Sequence, residues 1–173
     1  VPWDARIAWR SLRFACGAAA LAASLIAALA LGGCHSRPDS PEDQIRALIA
    51  KAEKAAEHGD IATLKSIISE RYSDPERGGK RAVVGVIGYY LLQHRSIHLL
   101  TQVHEIEFPE PGNAECTVFV GMAARPIEAI GQLGALHADI YRIEFTALQE
   151  KHADWKVTRA DWRPAQLDDL EPE

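Results

Sequence analysis

The chain has 173 residues, 19 of them Lys or Arg and 24 Asp or Glu, for a formal net charge of −5. Beyond position 33 the balance falls to sixteen basic against twenty-three acidic residues, so no net basic face is available for phosphates and nucleic acid is excluded as a partner. Some 120 residues remain between a short Ser/Pro/Asp stretch (His35 to Ser40) and an acidic end (Leu167 to Glu173), which is one ordinary domain with enough chain for a core.

The first segment carries Arg6, Arg10 and Arg13, then an apolar run from Ala15 to Leu31 with nothing more polar than Ser24, and stops at Leu31-Gly32-Gly33-Cys34. A charged head, an apolar middle and small residues before a cysteine resemble a bacterial lipoprotein signal peptide. The resemblance implies cleavage before Cys34, which then bears a thioether-linked diacylglycerol and an amide-linked acyl chain of the palmitate type. Two or more chains anchor a protein stably where one holds it marginally. The mature protein is therefore expected to sit on a membrane, attached through Cys34, without crossing it. His35 follows the cysteine where lipoproteins retained in the inner membrane carry aspartate, so the resemblance implies the outer membrane, facing the periplasm, with the inner membrane as the alternative. An uncleaved anchor is the other reading, since the run is near the lower limit for a spanning helix. Val1 stands where a start methionine is usual, which leaves the true start open. Cys16 leaves with the signal and Cys34 is consumed by lipid, so Cys116 remains alone and packing must hold the fold without a disulfide. The resulting organisation is 1–33 signal peptide, 34–41 tether, 42–165 domain and 166–173 acidic tail.

Ser40-Pro41-Glu42-Asp43 opens a helix, with Ser40 as cap, Pro41 in the first turn and acids at the positive end of the dipole. Ile45, Leu48, Ile49, Ala52 and Ala56 give it one apolar stripe as far as His58, and Gly59 ends it. Asp60 caps a second helix, striped by Ile61, Leu64, Ile67 and Ile68, predicted to run to Tyr72. Residues 73–79 read as a loop. A third helix fits Lys80 to about His94, weakened by Gly85 and Gly88. From Ser96 the period becomes two, and four strands are predicted: Ile97 to Phe108, Ala114 to Ala124, Ile140 to Gln149 and Trp155 to Arg163. Arg125 to His137 is either a mobile loop or a short helix-bearing excursion. Three helices followed by consecutive antiparallel strands make an α+β fold, the sheet curving over the helices.

Asp43-Gln44-Ile45-Arg46, the Gly59-Asp60 break, Tyr72-Ser73-Asp74, and Tyr141-Arg142-Ile143-Glu144 through Trp155 to Trp162 resemble the nuclear transport factor 2 superfamily. The likeness covers about Glu42 to Pro164 and is closest to small exported members without an assigned activity. It implies a cone-like, cystatin-like domain with a cavity between helices and a four-stranded sheet. Some members are enzymes, such as ketosteroid isomerase and polyketide cyclases, while others only bind or dimerise, so fold does not select function.

Tyr72, Asp74, Tyr89 and His94 are the candidate catalytic residues, because an isomerase or cyclase needs a carboxylate or imidazole and a tyrosine beside an apolar pocket. Core packing for the tyrosines and a turn role for an aspartate before proline are the plainer readings. Tyr90, Tyr141 and Trp155 are candidates for the pocket wall. Trp162 has opposite parity to Trp155, so without a bulge it points to the outer sheet face. Exposed there beside Arg142 and Glu144 it marks an interface with a second copy or an envelope protein; covered by the tail it is structural. His98 and His104 share a strand face but stand roughly 20 Å apart at that spacing, and no metal or cofactor is expected. The expectation is a lipid-anchored binding or assembly module that is not an enzyme. The alternatives are a small-molecule isomerase, dehydratase or cyclase, and a structural envelope component.

Overall fold

In the computed structural model, residues 40–94, 96–151 and 154–170 are described. The expected signal segment, Cys34 and the tether up to residue 39 lie outside them. Helix α1 spans Pro41–Glu57 and opens with a capping box: Ser40 Oγ accepts from the Asp43 amide at 3.0 Å, and the Asp43 carboxylate accepts from the Ser40 amide. The helix ends at His58, and Gly59 takes the left-handed conformation (φ 64°) that turns the chain into Asp60. Asp60 caps helix α2, Ile61–Ile67, by accepting from the Thr63 amide at 3.0 Å.

Helix α2 is shorter than its pattern predicts, stopping five residues before Tyr72. Ile68 turns extended and bridges Val157, and the Ser69 amide donates to the Val157 carbonyl at 2.9 Å, so a strand contact outcompetes another helical turn. Two lysines complete the helix end, with Lys156 Nζ on the Ser66 carbonyl at 2.8 Å and Lys80 Nζ on the Ile68 carbonyl at 2.6 Å. Cations there satisfy orphan acceptors at the negative end of the dipole. The predicted loop at 73–79 contains a small ladder, β1 (Ser73–Asp74) with β2 (Gly78–Gly79), which leads into helix α3, Lys80–Gln93.

The sheet comprises β3 (His98–Glu110), β4 (Asn113–Ala123), β5 (Asp139–Gln149) and β6 (Trp155–Pro164), antiparallel in that order. Each strand begins and ends within two residues of its expected limits. The ladder is interrupted where His104 is extra on β3 and Thr158 is extra on β6. An extra residue bends the strand and reverses the face of everything beyond it. Trp162 is corrected on this account: the Thr158 bulge turns Ala160 and Trp162 to the inner face, beside Val157, instead of to the outer face.

Packing divides into three clusters. Ala55, Leu64, Ile67, Ile68, Tyr72 and Val83 form one beneath the helices, with Val157, Ala160 and Trp162 against it. Ile45, Ala114, Cys116, Ala147 and Trp155 form a second, where the start of α1 meets the sheet. The third lies on the outer face: Phe119, Leu133 and Leu170, joined by Leu100, Ile127, Ile130 and Ile140. Residues 124–138 therefore carry a helical turn (Ile130–Gln132) that seats Leu133 on the sheet, and the tail adds a second turn (Leu167–Leu170). The outer face is sealed over β4 by the chain itself.

Candidate functional site

Residues of the first cluster and those packed on it also line a cavity of about 380 Å³ between the helices and the inner sheet face. Leu48, Ile49, Ala52 and Ala56 of α1 and Val83, Val86, Ile87 and Leu91 of α3 form one wall. Val118, Val120 and Met122 of β4, Tyr141, Ile143 and Phe145 of β5, and Val157, Ala160 and Trp162 of β6 form the other. The alternation legible on β5 accounts for its three wall residues, and the bulge on β6 supplies the last two. The volume is within the lower part of the range of small-molecule sites.

Polar atoms are few. Tyr90 reaches from α3 to the sheet, with its hydroxyl 3.8 Å from Met122 Sδ, a weak acceptor. Burial, followed by the proximity of Tyr141 and Asp139, raises its pKa and keeps it a phenol that can donate. Tyr72 lines the inner end, where its hydroxyl lies 3.3 Å from Asp74 Oδ2 and 3.4 Å from the Ala160 carbonyl oxygen. Burial, then the Asp74 charge, pushes its pKa to about 12. Among the described lining residues Glu53 is the sole carboxylate, and no Lys, Arg or His joins it. Sequence reasoning missed Glu53; its signal was an acid four residues after Ile49 at the border of the apolar stripe.

The other expected catalytic groups are placed elsewhere. Asp74 is buried but does not line the cavity; it accepts from the Glu76 and Arg77 amides at 2.7 and 3.2 Å and from Arg77 Nη1 at 2.9 Å. Burial opposes its charge, yet the Arg77 guanidinium and the two amides outweigh that and hold its carboxyl below the usual range. A base so fully occupied is a loop fastener. The Arg77 guanidinium in turn stacks 3.6 Å above the ring of Trp162, a cavity-wall residue, in a cation–π contact. Tyr89 is 68% exposed and outside the cavity. His94 caps α3, with Nδ1 3.0 Å from the Tyr90 carbonyl oxygen and its ring stacked on Tyr90 at 4.2 Å. Of the wall candidates, Tyr90 and Tyr141 line the cavity. Trp155 does not: it packs in the second cluster and donates from Nε1 to Gln44 Oε1 at 2.9 Å.

No family model matches the chain, and no curated protein matches it either. Solved structures do. A candidate dehydratase of the nuclear transport factor 2-like family from Streptomyces avermitilis is 16% identical, with a TM-score of 0.59 over 75% of this chain and 99% of that one. A ketosteroid isomerase-like protein from Erwinia carotovora atroseptica is 12% identical, with a TM-score of 0.53 over 70% and 94%. A Caulobacter vibrioides protein with a cystatin-like fold is 16% identical, with a TM-score of 0.54 over 73% and 91%. At such identities the likeness is one of fold: the domain has the cystatin-like α+β fold that these nuclear transport factor 2-like proteins share.

Proposed function

We propose that the chain is a lipid-anchored, periplasm-facing module that binds a small apolar molecule in its cavity without transforming it. One observation carries the reading: the wall is aliphatic and aromatic almost throughout, while Asp74, Tyr89 and His94 are fastened or turned away from it. Such a site gains affinity by removing apolar surface from water, and its tyrosine hydroxyls orient the guest. A second copy or an envelope protein docking on the sheet face meets the charged strip of Arg142, Glu144 and Arg163, because the face over β4 is occupied.

The test is uptake of a neutral solvatochromic dye. Ala160→Phe and Val120→Phe each place a ring in the cavity and are expected to abolish the emission change of the bound dye. Uptake unaltered by both substitutions refutes the reading. Intact mass of detergent-extracted protein tests the anchor separately: a species beginning at lipidated Cys34 supports it, and one retaining residues 1–33 defeats it.

Glu53 and the phenol of Tyr90 in one cavity lining favour a second reading, a small-molecule isomerase, dehydratase or cyclase, in keeping with the dehydratase and isomerase-like proteins that share the fold. That reading requires turnover of a bound carbonyl compound that Glu53→Gln removes while binding persists.

A further inference from the structure

Helix α3 is the least self-consistent element of the fold. The chain from Lys80 through this helix to Arg95, KRAVVGVIGYYLLQHR, contains no acid, although the whole chain is acidic. Its inward side is accounted for by Val83, Ile87 and Leu91, which meet the core and the cavity. Its outward side is apolar too, with Val86 44%, Tyr89 68% and Leu92 76% exposed, spaced at three residues along one stripe. Gly85, just before this stripe, adds no cover, since a methyl there would meet nothing within 4 Å. The helix start also runs against local electrostatics: Lys80 and Arg81 occupy the positive end of the dipole, the first turn has no acid, and Gly79 provides no side-chain cap. Helix α1, by contrast, has Glu42 and Asp43 in its first turn. Lys80 is explained by the Ile68 carbonyl and Glu70, but Arg81 is exposed and folding does not call for it.

An apolar stripe with a tyrosine, opened by Lys80-Arg81 and closed by His94, has the composition of a helix that lies in a membrane interface. We propose that the outward face of α3 docks on an anionic lipid surface, with Val86, Tyr89 and Leu92 entering the headgroup boundary and Arg81 contacting the headgroups. Charge complementarity selects this occupant over a second copy, whose own α3 would bring like charges together. The expected anchor supports the same occupant, because the six residues from Cys34 to Ser40 reach at most about 20 Å and keep the domain beside the bilayer. Val86 belongs both to this stripe and to the cavity wall, so the docked helix presents the cavity's edge to the lipid. The proposal rests on the anchor only for proximity and does not depend on what the cavity holds.

The test uses the full chain in vesicles of mixed zwitterionic and anionic phospholipid, with Leu92→Cys carrying an environment-sensitive fluorophore and exposed Glu107→Cys as control. The chain is held on the vesicle whether or not residues 1–33 are removed, so the readout reports the helix face alone. The expected result is blue-shifted emission at position 92, quenched by lipids brominated near the headgroup, with neither effect at position 107. At about 1 kcal/mol per basic residue near such a surface, Arg81→Glu lowers the ratio of docked to undocked helix about 30-fold. Water-like emission at position 92 overturns the proposal. So does quenching that is equal on purely zwitterionic vesicles and indifferent to Arg81→Glu. A disulfide-linked dimer formed by unlabelled Leu92→Cys on the vesicles under air oxidation assigns the face to a second copy and overturns it as well.

Discussion

Gly121 lies on β4 beneath Leu133, the residue with which the 124–138 excursion seals the outer face. A methyl added at Gly121 would stand 2.5 Å from Leu133 Cδ2, a separation that real side chains do not tolerate. Overpacking of this kind costs about 1–3 kcal/mol, so Gly121→Ala alone is expected to destabilise the domain by that amount. Leu133 is 1% exposed, and Leu133→Ala alone should cost about 2–5 kcal/mol for the buried atoms and the space left behind. The two changes should not add. With Leu133 shortened, the new methyl occupies room that has just been vacated, so the double variant should resemble Leu133→Ala or improve on it, giving a coupling of about 1–3 kcal/mol. Denaturant unfolding of wild type, both singles and the double, with unchanged m-values, measures the cycle. Additivity within about 0.5 kcal/mol would mean that Leu133 does not rest on Gly121 and that the outer face is open.

Alkali should destabilise the fold through two buried acids. Burial pushes Cys116 from 9.0 to about 12 and Tyr72 from 10.0 to about 12, so each ionises first in the unfolded chain. Their stabilisation is complete below pH 9 and lost as pH rises toward 12, on the order of 4 kcal/mol for Cys116 at about 1.4 kcal/mol per pKa unit. Cys116→Ala should remove the loss that begins at pH 9 and leave the part that begins at pH 10, as read by unfolding midpoints against pH. Asp74 has the opposite sign: its carboxyl is held low, so its contribution is present above the ordinary carboxylate pKa and lost as pH falls through the depressed one. Asp74→Asn should flatten that acid limb and speed hydrogen exchange at the Glu76 and Arg77 amides; unchanged exchange refutes the fastening role. Deleting Thr158 removes the bulge and returns Trp162 to the outer face, with an expected loss of about 3 kcal/mol for a mostly buried aromatic. The same deletion should abolish the emission change of a dye in the cavity, and a deletion variant that retains both stability and uptake shows that the bulge does not set the face.

The helix starts and the four strands were legible because each rests on a local signal. Ser40 and Asp60 are caps whose hydrogen bonds form within three residues, and Tyr141, Ile143, Phe145 and Ala147 alternate without interruption. What was not legible depends on partners distant in sequence. Helix α2 ends early because Ile68 and Ser69 find Val157, 89 and 88 residues away. The bulge at Thr158 appears only when β6 is laid against β5, and every residue past it changes face. Asp74 as a turn residue before proline is legible, and it accepts from the Glu76 and Arg77 amides as that reading requires; what is not legible is its pairing with Arg77 and the ring of Trp162 beyond it. Glu53 was missed because an acid at the edge of a stripe belongs equally to solvent and to whatever the stripe faces.

Stability and the cavity are arranged so that neither depends wholly on the other. A wall that must stay apart for a guest forgoes close packing, and interiors lose contacts wherever facing atoms are missing. This domain places close packing away from the cavity, under the start of α1 in the second cluster and outside the sheet in the third. The outer cluster has a further consequence, since the face over β4 that it fills is the broad flat surface the sheet would otherwise offer for pairing. A guest that binds only the folded chain stabilises it by mass action, about 2.7 kcal/mol at one hundred times its dissociation constant. The two effects are separable: weakening the outer cluster at Leu133 lowers stability with and without a guest alike, whereas filling the cavity at Ala160 abolishes the difference that a guest makes.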